Sequence, residues 1–329
     1  MIDNVPKFKT PKGRILFTHS LLKDFRLCRR RFFYNYLCLL SPRRLSLPLF
    51  MGEFFHEGLD RFYSGKDPDD FIPDIVKEME QRRRNAVFLD PEEEEQLDVA
   101  SATIQGMLEA YCRRYQKDLK RWKIVAPEQR FEIPIYGENY FGGKVDLIIK
   151  WKGEYWVVEH KTAGRLDKNY ISRLPLDFQI TGYILGAKRV VGKPIAGIIY
   201  NVVKKPWLRK RSGESGANFA SRIAQDYHKR PEFYLYRERL YRLTREVHAF
   251  KAEISETVHD ITNLFAHARK YKKQPDKVLP TFYRNTDACV AKGTCQFMPI
   301  CTTGWDKSTK ALYERRKGFN PELAKEDTA

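Results

Sequence analysis

No run of apolar residues in the chain approaches the roughly 18 that a membrane-spanning helix needs. The opening residues, MIDNVPKFKTPKGR, are polar and basic where a secretory signal would be apolar. A lipidation motif and a basic amphipathic helix are missing too, which argues against an acidic membrane surface as partner. A cytoplasmic location is the expectation. The sequence has no internal repeat, which sets aside solenoids and propellers. It has no Walker A motif, so any helicase that works with it is a separate protein. Close C-x2-4-C pairs, the usual mark of a zinc site, are absent as well.

What is present is a basic, aromatic-rich globular chain. Its 329 residues suffice for one large domain or two small ones, and 21 Phe, 18 Tyr and 5 Trp supply the apolar bulk of a core. A net charge of +18 points to a polyanion, nucleic acid above all, as partner. Six cysteines in a reducing compartment do not build a disulfide framework, so clustering among them points to metal.

Thr18 or Ser20 caps a helix predicted over residues 18–40, where Leu21, Phe25, Cys28, Phe32 and Tyr36 recur at helical spacing. Lys23, Arg26, Arg30 and Arg31 line its other side, and Arg30 and Arg31 are candidates for phosphate contact. A second helix over 49–63 turns His56 inward beside Phe55, Leu59 and Phe62. Residues 66–121 read as a helical insertion in which PEEEEQ starts a helix, its acids suiting the N-terminal dipole. From Trp122 the period turns strand-like, through WKIVAPEQRFEIPIYG, residues 142–164 and IAGIIYNVVKK at 195–205. Between the last two, a helix over LDFQITGYILGAKRVVG puts Gln179 and Tyr183 one turn apart. Residues 206–230 read as a flexible basic loop beginning at Trp207; Lys204, Lys205, Arg209, Lys210 and Arg211 are further candidates for DNA contact. One long amphipathic helix is expected over 237–271, and residues 307–329 form a polar tail expected to fray. The fold class that follows is α/β: a central mixed β-sheet flanked by helices, with residues 1–306 as one domain.

The segment GGKVDLIIKWKGEYWVVEHKTAG, residues 142–164, reads as two apolar strands joined at a glycine, yet each carries an acid. With Lys152 and Gly153 as a two-residue turn, Trp151 faces Glu154 and Asp146 falls opposite Glu159. Alternation places Lys161 on the face of Glu159 and turns His160 away. Opposed carboxylates about 5 Å apart repel unless something positive lies between them, and a divalent cation, Mg2+ or Mn2+, meets that need. Together with an inward His56 the set suits metal-assisted hydrolysis, in which the ion activates a water while Lys161 orients that water or meets the charge on phosphorus. The competing reading makes Glu159 and Lys161 exposed strand residues and His56 an ordinary core histidine.

Gly52-x-x-x-His56, Gly143-x-x-Asp146, Glu159-His160-Lys161 and Gln179-x-x-x-Tyr183, in that order, resemble the RecB-like branch of the PD-(D/E)XK nucleases over most of residues 18–301. Val145 stands where that motif's proline would be and leaves the acid in place. The resemblance implies a restriction-endonuclease-like core with His56, Asp146 and Glu159 as metal ligands and the His160 backbone carbonyl as a further one. It implies that Lys161 is catalytic and that Gln179 and Tyr183 position the site or the DNA strand. The implied activity is metal-dependent cleavage of single-stranded DNA or DNA ends, by an exonuclease of recombination, repair or phage DNA processing, leaving a 5′-phosphate and a 3′-hydroxyl. A separate helicase or recombination protein would be its partner. A non-catalytic DNA-binding subunit of a helicase–nuclease complex and an RNA-processing nuclease are the other classes that the basic surface would serve.

Near the C-terminal end, ACVAKGTCQFMPIC sets Cys289, Cys295 and Cys301 at two equal intervals of five intervening residues. Relatives that carry an iron–sulfur cluster, such as AddB-type helicase–nucleases and CRISPR-adaptation nucleases, have one N-terminal cysteine and three near the C-terminus. By that resemblance Cys28 is the fourth ligand, the segment 280–302 is the cluster segment, and the cluster joins it to the N-terminal helix. Four thiolates suit a 4Fe–4S cluster or Zn2+, and the lack of a close cysteine pair favours iron. Cys38 and Cys112 match nothing and read as packing residues.

Overall fold

The structure, a computed structural model, describes residues 5–85, 91–291, 293–320 and 323. Strand β1 (Leu16–Thr18) leads into helix α1 (His19–Leu27), a helical turn at Arg29–Phe32 and a π-helical turn at Phe33–Leu37, followed by β2 (Leu40–Pro42), α2 (Leu47–Tyr63), α3 (Pro68–Arg84) and α4 (Pro91–Tyr115). Strands β3 (Lys123–Tyr136), β4 (Asn139–Trp151) and β5 (Glu154–Ala163), helix α5 (Phe178–Val191) and strand β6 (Ile195–Lys204) come next. Then follow α6 (Gly216–Lys229), β7 (Leu235–Leu240), α7 (Thr244–Lys270), several single turns and β8 (Tyr313–Arg315). Among the described residues no helix is long and apolar enough to cross a membrane. The chain divides into two compact units, one of Met1–Arg43, Glu132–Gly143 and Thr244–Ala329, the other of Arg44–Phe131 and Lys144–Leu243.

In the second unit β5 runs antiparallel to β4 and parallel to β6, and β6 runs antiparallel to β7, which makes the sheet mixed as expected. The β4–β5 register is the predicted one, with Trp151 opposite Glu154 and Leu147 opposite Val158. Lys152 (φ 50) and Gly153 (φ 87) both adopt the left-handed backbone that a two-residue turn between right-twisted strands demands. Helix α5 forms the crossover from β5 to β6; the Asp177 carboxylate accepts from the Gln179 N–H at its start, and Gly192 at φ 67 ends it. Phe55 and Phe62 of α2, Leu108 and Tyr111 of α4, and Phe219 and Ile223 of α6 form a core with Trp156, Val158 and Ile199 of the sheet. That packing fixes α2, and with it His56, against the sheet.

Two stretches of this unit differ from the sequence expectation. Part of the expected loop 206–230 is helix α6, capped by Ser215 and burying Phe219, Ala220, Ile223 and Tyr227. Its apolar stripe is interleaved with Arg222, Asp226 and Lys229, which hid it behind charge. The start of the expected helix over 237–271 is strand β7, whose Leu235 and Leu240 are buried and whose residues 235–240 pair with β6; the helix itself begins at Thr244.

In the first unit β1 pairs in parallel with the start of β4, Leu16 opposite Tyr140, and α7 buries Phe250, Ile254, Val258, Ile261, Phe265 and Ala268 as its spacing predicts. The helix expected over 18–40 is broken. Helix α1 stops at Leu27, Cys28 is extended at φ −162, and helical turns resume at Arg29. A break leaves backbone groups without helical partners. Here the Leu27 carbonyl accepts from Asn285 Nδ2 at 2.9 Å, and the Arg30 N–H donates to the Tyr283 carbonyl at 3.1 Å. The tail expected to fray instead holds a short helix, Lys307–Ala311, with Asp306 and Thr309 as a capping box, and a strand β8 antiparallel to β2. The rest of that tail, 321–322 and 324–329, lies outside the described residues.

Helices α4 and α6 cross so closely at Gly106 that an added Cβ would lie 2.4 Å from the Ala220 carbonyl oxygen and 2.8 Å from Ile223 Cβ. Backbone cannot yield as a side-chain tip does, so Gly106→Ala is expected to cost about 1–3 kcal/mol by overpacking. A denaturant midpoint unchanged from wild type would show that the two helices have room to part.

Candidate active site

The β4–β5 ladder ends at Leu147–Val158, and the two acids stand just past its last pair. There the Asp146 side chain takes over from backbone pairing, its Oδ2 accepting the His160 N–H at 2.8 Å. Its other oxygen, Oδ1, lies 3.3 Å from His56 Nδ1, presented by α2. Glu159 is buried at 2% exposure, with Oε1 paired to the Lys161 ammonium and Oε2 left, among the described residues, without a hydrogen-bond partner. Tyr183 is buried, its hydroxyl 2.7 Å from Gln179 Nε2, and near enough to Glu159, Lys161 and Asp146 to feel their charges. The structure thus brings together His56, Asp146, Glu159, Lys161, Gln179 and Tyr183.

The His160 imidazole turns away as alternation requires. It stacks on Tyr63 with ring centroids 5.5 Å apart, and its Nδ1 lies 3.3 Å from both Tyr111 OH and Asn201 Nδ2. Burial first, and then the cations of His56 and Arg237 against the opposing charge of Asp146, hold it down to about 3. It is a neutral, buried imidazole, and its ring still meets that of His56 edge-on, with centroids 6.5 Å apart.

The charges follow from burial and position. Burial alone would raise Asp146, but His56 beside it and the Lys161 cation hold it well below the usual carboxylate range. Burial likewise works against protonated His56, and Asp146 more than offsets it, so the imidazole is raised above its ordinary value. Glu159 is pushed up to about 8, by burial first and then by the charge of Asp146, against the pull of Lys161. A buried acid raised that far, with one oxygen unpartnered among the described residues, would be stabilised as an anion by a further cation. Carboxylate oxygens and an imidazole are the donors that Mg2+ or Mn2+ accepts, so the residues present fit a divalent ion. Among the described residues no three His, Cys, Asp or Glu side chains already stand in an arrangement able to hold one: Glu159 is turned to Lys161, and Asp146 to His56.

Sequence reasoning missed two residues that line the same recess, Asp60 and Glu128. Asp60 follows His56 by one turn of α2, a spacing visible in the sequence. Burial, and next the nearby Glu128, raise its pKa. Glu128 adopts a left-handed backbone at φ 44 and accepts from Lys144 Nζ at 2.5 Å. Nothing local in the sequence marks it.

Several cations expected at phosphates make contacts within the protein. Arg30 donates to the carbonyls of Phe282 and Leu279 at 2.8 and 3.0 Å, and Arg31 pairs with Asp24 at 2.7 Å. Lys204 is buried, and Lys210 pairs with Asp98 at 2.6 Å. Lys205 Nζ rests 3.4 Å from Met51 Sδ. Arg209 and Arg211 are exposed.

All six cysteines are free thiols. Cys28, Cys289, Cys295 and Cys301 are half-buried in the first unit, whereas Cys38 and Cys112 are buried. The Cys301 thiol is pushed up to about 11, by burial first and, against the opposing Arg30, by the charges of Cys295, Cys28 and Cys289. The other three thiols are thus near enough to act on Cys301, although among the described residues no three cysteines stand in an arrangement able to hold a metal ion. Asn285 contacts two of the four: its N–H reaches Cys28 Sγ at 3.4 Å, and its carbonyl accepts from Cys289 Sγ at 3.8 Å.

The raised Glu159 sets a pH dependence. A carboxyl at about 8 in the folded chain and about 4.5 unfolded holds its proton only when folded between those values, so stability is greatest below the lower value and falls as pH rises through the upper one. In protein stripped of divalent ions, unfolding free energy is expected to drop by about 1–3 kcal/mol from pH 6 to pH 8. Glu159→Gln should flatten this dependence, and Mg2+ should stabilise more at pH 8 than at pH 6. A wild-type profile as flat as that of the variant would overturn the assignment.

Compared with known proteins, residues 16–302 match the sequence profile of the PD-(D/E)XK nuclease superfamily. No curated protein matches the chain. Among solved structures, a protein of Eubacterium rectale named as a candidate exonuclease is similar over 94% of this chain and 93% of its own, at 11% identity and a TM-score of 0.42.

Proposed function

Since the chain belongs to the PD-(D/E)XK nuclease superfamily, we propose that it is a divalent-ion-dependent deoxyribonuclease, an exonuclease acting on single-stranded DNA or DNA ends in recombination, repair or phage DNA processing. The observation that carries the reading is the buried Glu159 Oε2, unpartnered among the described residues, on the strand next to Asp146, with Lys161 on the same face. His56, Asp146, Glu159 and the His160 carbonyl are the ligands proposed. An ion there supplies a polarised scissile phosphate and an acidified water. The chain's own groups do the rest. Lys161, half-buried and held protonated by its carboxylate neighbours, brings an ammonium to the charge that builds on phosphorus. His56 holds Asp146 ionised and oriented. Gln179 donates to the Tyr183 hydroxyl, which leaves that hydroxyl's proton free to be offered to a phosphate oxygen.

The same reading assigns Cys28, Cys289, Cys295 and Cys301 to an iron–sulfur cluster of the 4Fe–4S kind, with zinc as the alternative. What supports it is that Asn285 contacts both Cys28 and Cys289 and that all four thiols are half-buried, a donor set suited to iron or zinc. Cys28, at the break between α1 and the next helical turn, would be linked to a segment far along the chain. A clip of that span removes several kcal/mol of unfolded-state freedom, roughly as a long-loop cross-link does.

Asp146→Ala, Glu159→Ala and Lys161→Ala are each expected to abolish cleavage of end-labelled single-stranded DNA while leaving the fold intact. Chelator should silence the wild type and Mg2+ or Mn2+ restore it. Full activity in any one of the three variants sinks the active-site assignment, and circular single strands cut as fast as linear ones sink the exonuclease reading.

Purified protein is expected to be brown, with broad absorbance near 400 nm, an order-of-magnitude expectation for thiolate-bound iron. Serine at position 28, 289, 295 or 301 should bleach it and promote aggregation, whereas Cys38→Ser and Cys112→Ser should keep the colour. Zinc without iron in anaerobically purified protein would replace the cluster by a zinc site; neither metal would remove both.

A further inference from the structure

Beyond the end of β6 an indole stands in solvent. Trp207 is 69% exposed, on a chain that otherwise keeps its tryptophans largely covered. Its ring is nonetheless held in place. The Lys204 ammonium sits 4.2 Å from its centroid and 3.4 Å from that of Phe233. Phe233, itself 37% exposed, meets Trp207 edge-to-face at 5.5 Å and 84°. Arg230, fixed by Asp226, lies 5.2 Å from the Phe233 ring. Lys204 is only 4% exposed, so its charge is spent on the rings and does not reach a phosphate. Arg209 and Arg211, both exposed, follow two and four residues after Trp207.

We infer that Trp207, braced by Lys204 and Phe233, is a stacking platform for an unpaired base, and that it selects single-stranded nucleic acid over duplex for the proposed nuclease, on which reading the inference rests. A base in a duplex already has both faces stacked, whereas a base in a single strand has a face to offer, and any of the four bases will do. A ring whose orientation is fixed beforehand loses little freedom when a base lands on it. Exposed arginines close behind it supply the phosphate contacts that such a platform needs but cannot make itself. The platform also lies within a short reach of the proposed chemistry. Val202 of β6 pairs with Lys161, and Trp207 is five residues further along, at most about 18 Å of extended chain.

The test is binding of a labelled oligothymidylate and of a duplex of equal length, measured by fluorescence anisotropy in chelator so that nothing is cut. Trp207→Ala is expected to weaken single-strand binding about tenfold or more, the share that one stacked base supplies, and to leave duplex binding within about twofold. Trp207→Phe, which keeps an aromatic face and guards against misfolding of the alanine variant, should retain most of the affinity. The dependence of single-strand binding on salt should be unchanged in either Trp207 variant and shallower in Arg209→Ala with Arg211→Ala, because stacking releases no counterions. The inference is overturned by wild-type affinity in Trp207→Ala, by equal loss on duplex and single strand, by loss in Trp207→Phe as large as in the alanine variant, or by failure of the wild type to bind single strands. Oligouridylate that depends on Trp207 in the same way supports the platform and widens its substrate to RNA. Binding through Trp207 without cleavage by the ion-loaded wild type removes the nuclease reading and keeps this one, while cleavage indifferent to Trp207 does the reverse.

Discussion

Two carboxylates on adjoining strands, one of them wholly out of water, cannot both carry a bare charge, and the second unit is arranged around that constraint. Removing an ion from water costs several kcal/mol unless partners replace the lost hydration. Asp146 has its replacement in the His160 N–H and the His56 ring. Glu159 has half of one, in Lys161. This explains why the β4–β5 ladder ends where it does, since Asp146 needs an N–H that a continued ladder would claim. It also explains why α2 must pack rigidly through Phe55 and Phe62, because a small shift of that helix would strip Asp146 of its imidazole.

The hairpin was legible in the sequence because two strict rules meet in it: a two-residue turn fixes the register, and alternation then fixes each face. His56 was legible through helical spacing, and Gln179 with Tyr183 through being one turn apart. Other features were invisible for physical reasons. The break at Cys28 has no proline or glycine to announce it and persists because Asn285 and Tyr283, more than 250 positions away, take up the freed backbone groups. Helix α6 was masked by charges that share its surface with a buried stripe. Glu128 enters the recess through a backbone conformation that propensities do not encode.

A count of charges says how much cation a chain carries and nothing about where it goes. Of the basic residues grouped in the sequence as phosphate contacts, Arg30 and Arg31 brace the helical turns that follow Cys28, Lys204 lies under two rings, and Lys210 answers Asp98. A net charge of +18 is therefore not a count of cations standing free at the surface. The aromatic rings tell a similar story in reverse: most are core, and the informative one is the exposed exception.

The first unit is assembled from three separate stretches of chain, whereas the second is interrupted only by residues 132–143. In a growing chain, then, the unit with the acids has nearly all its parts once Leu243 has been made, while strand β1 and helix α1 must wait for α7 and the segment after it. Cys28 precedes Cys289 by 261 positions (289 − 28). At roughly 5–20 residues per second that is an interval of about 13–50 s. Throughout it the Cys28 thiol lacks the three it is proposed to join, so the oxidation state of its surroundings during synthesis bears on how much of the finished protein carries all four thiols intact.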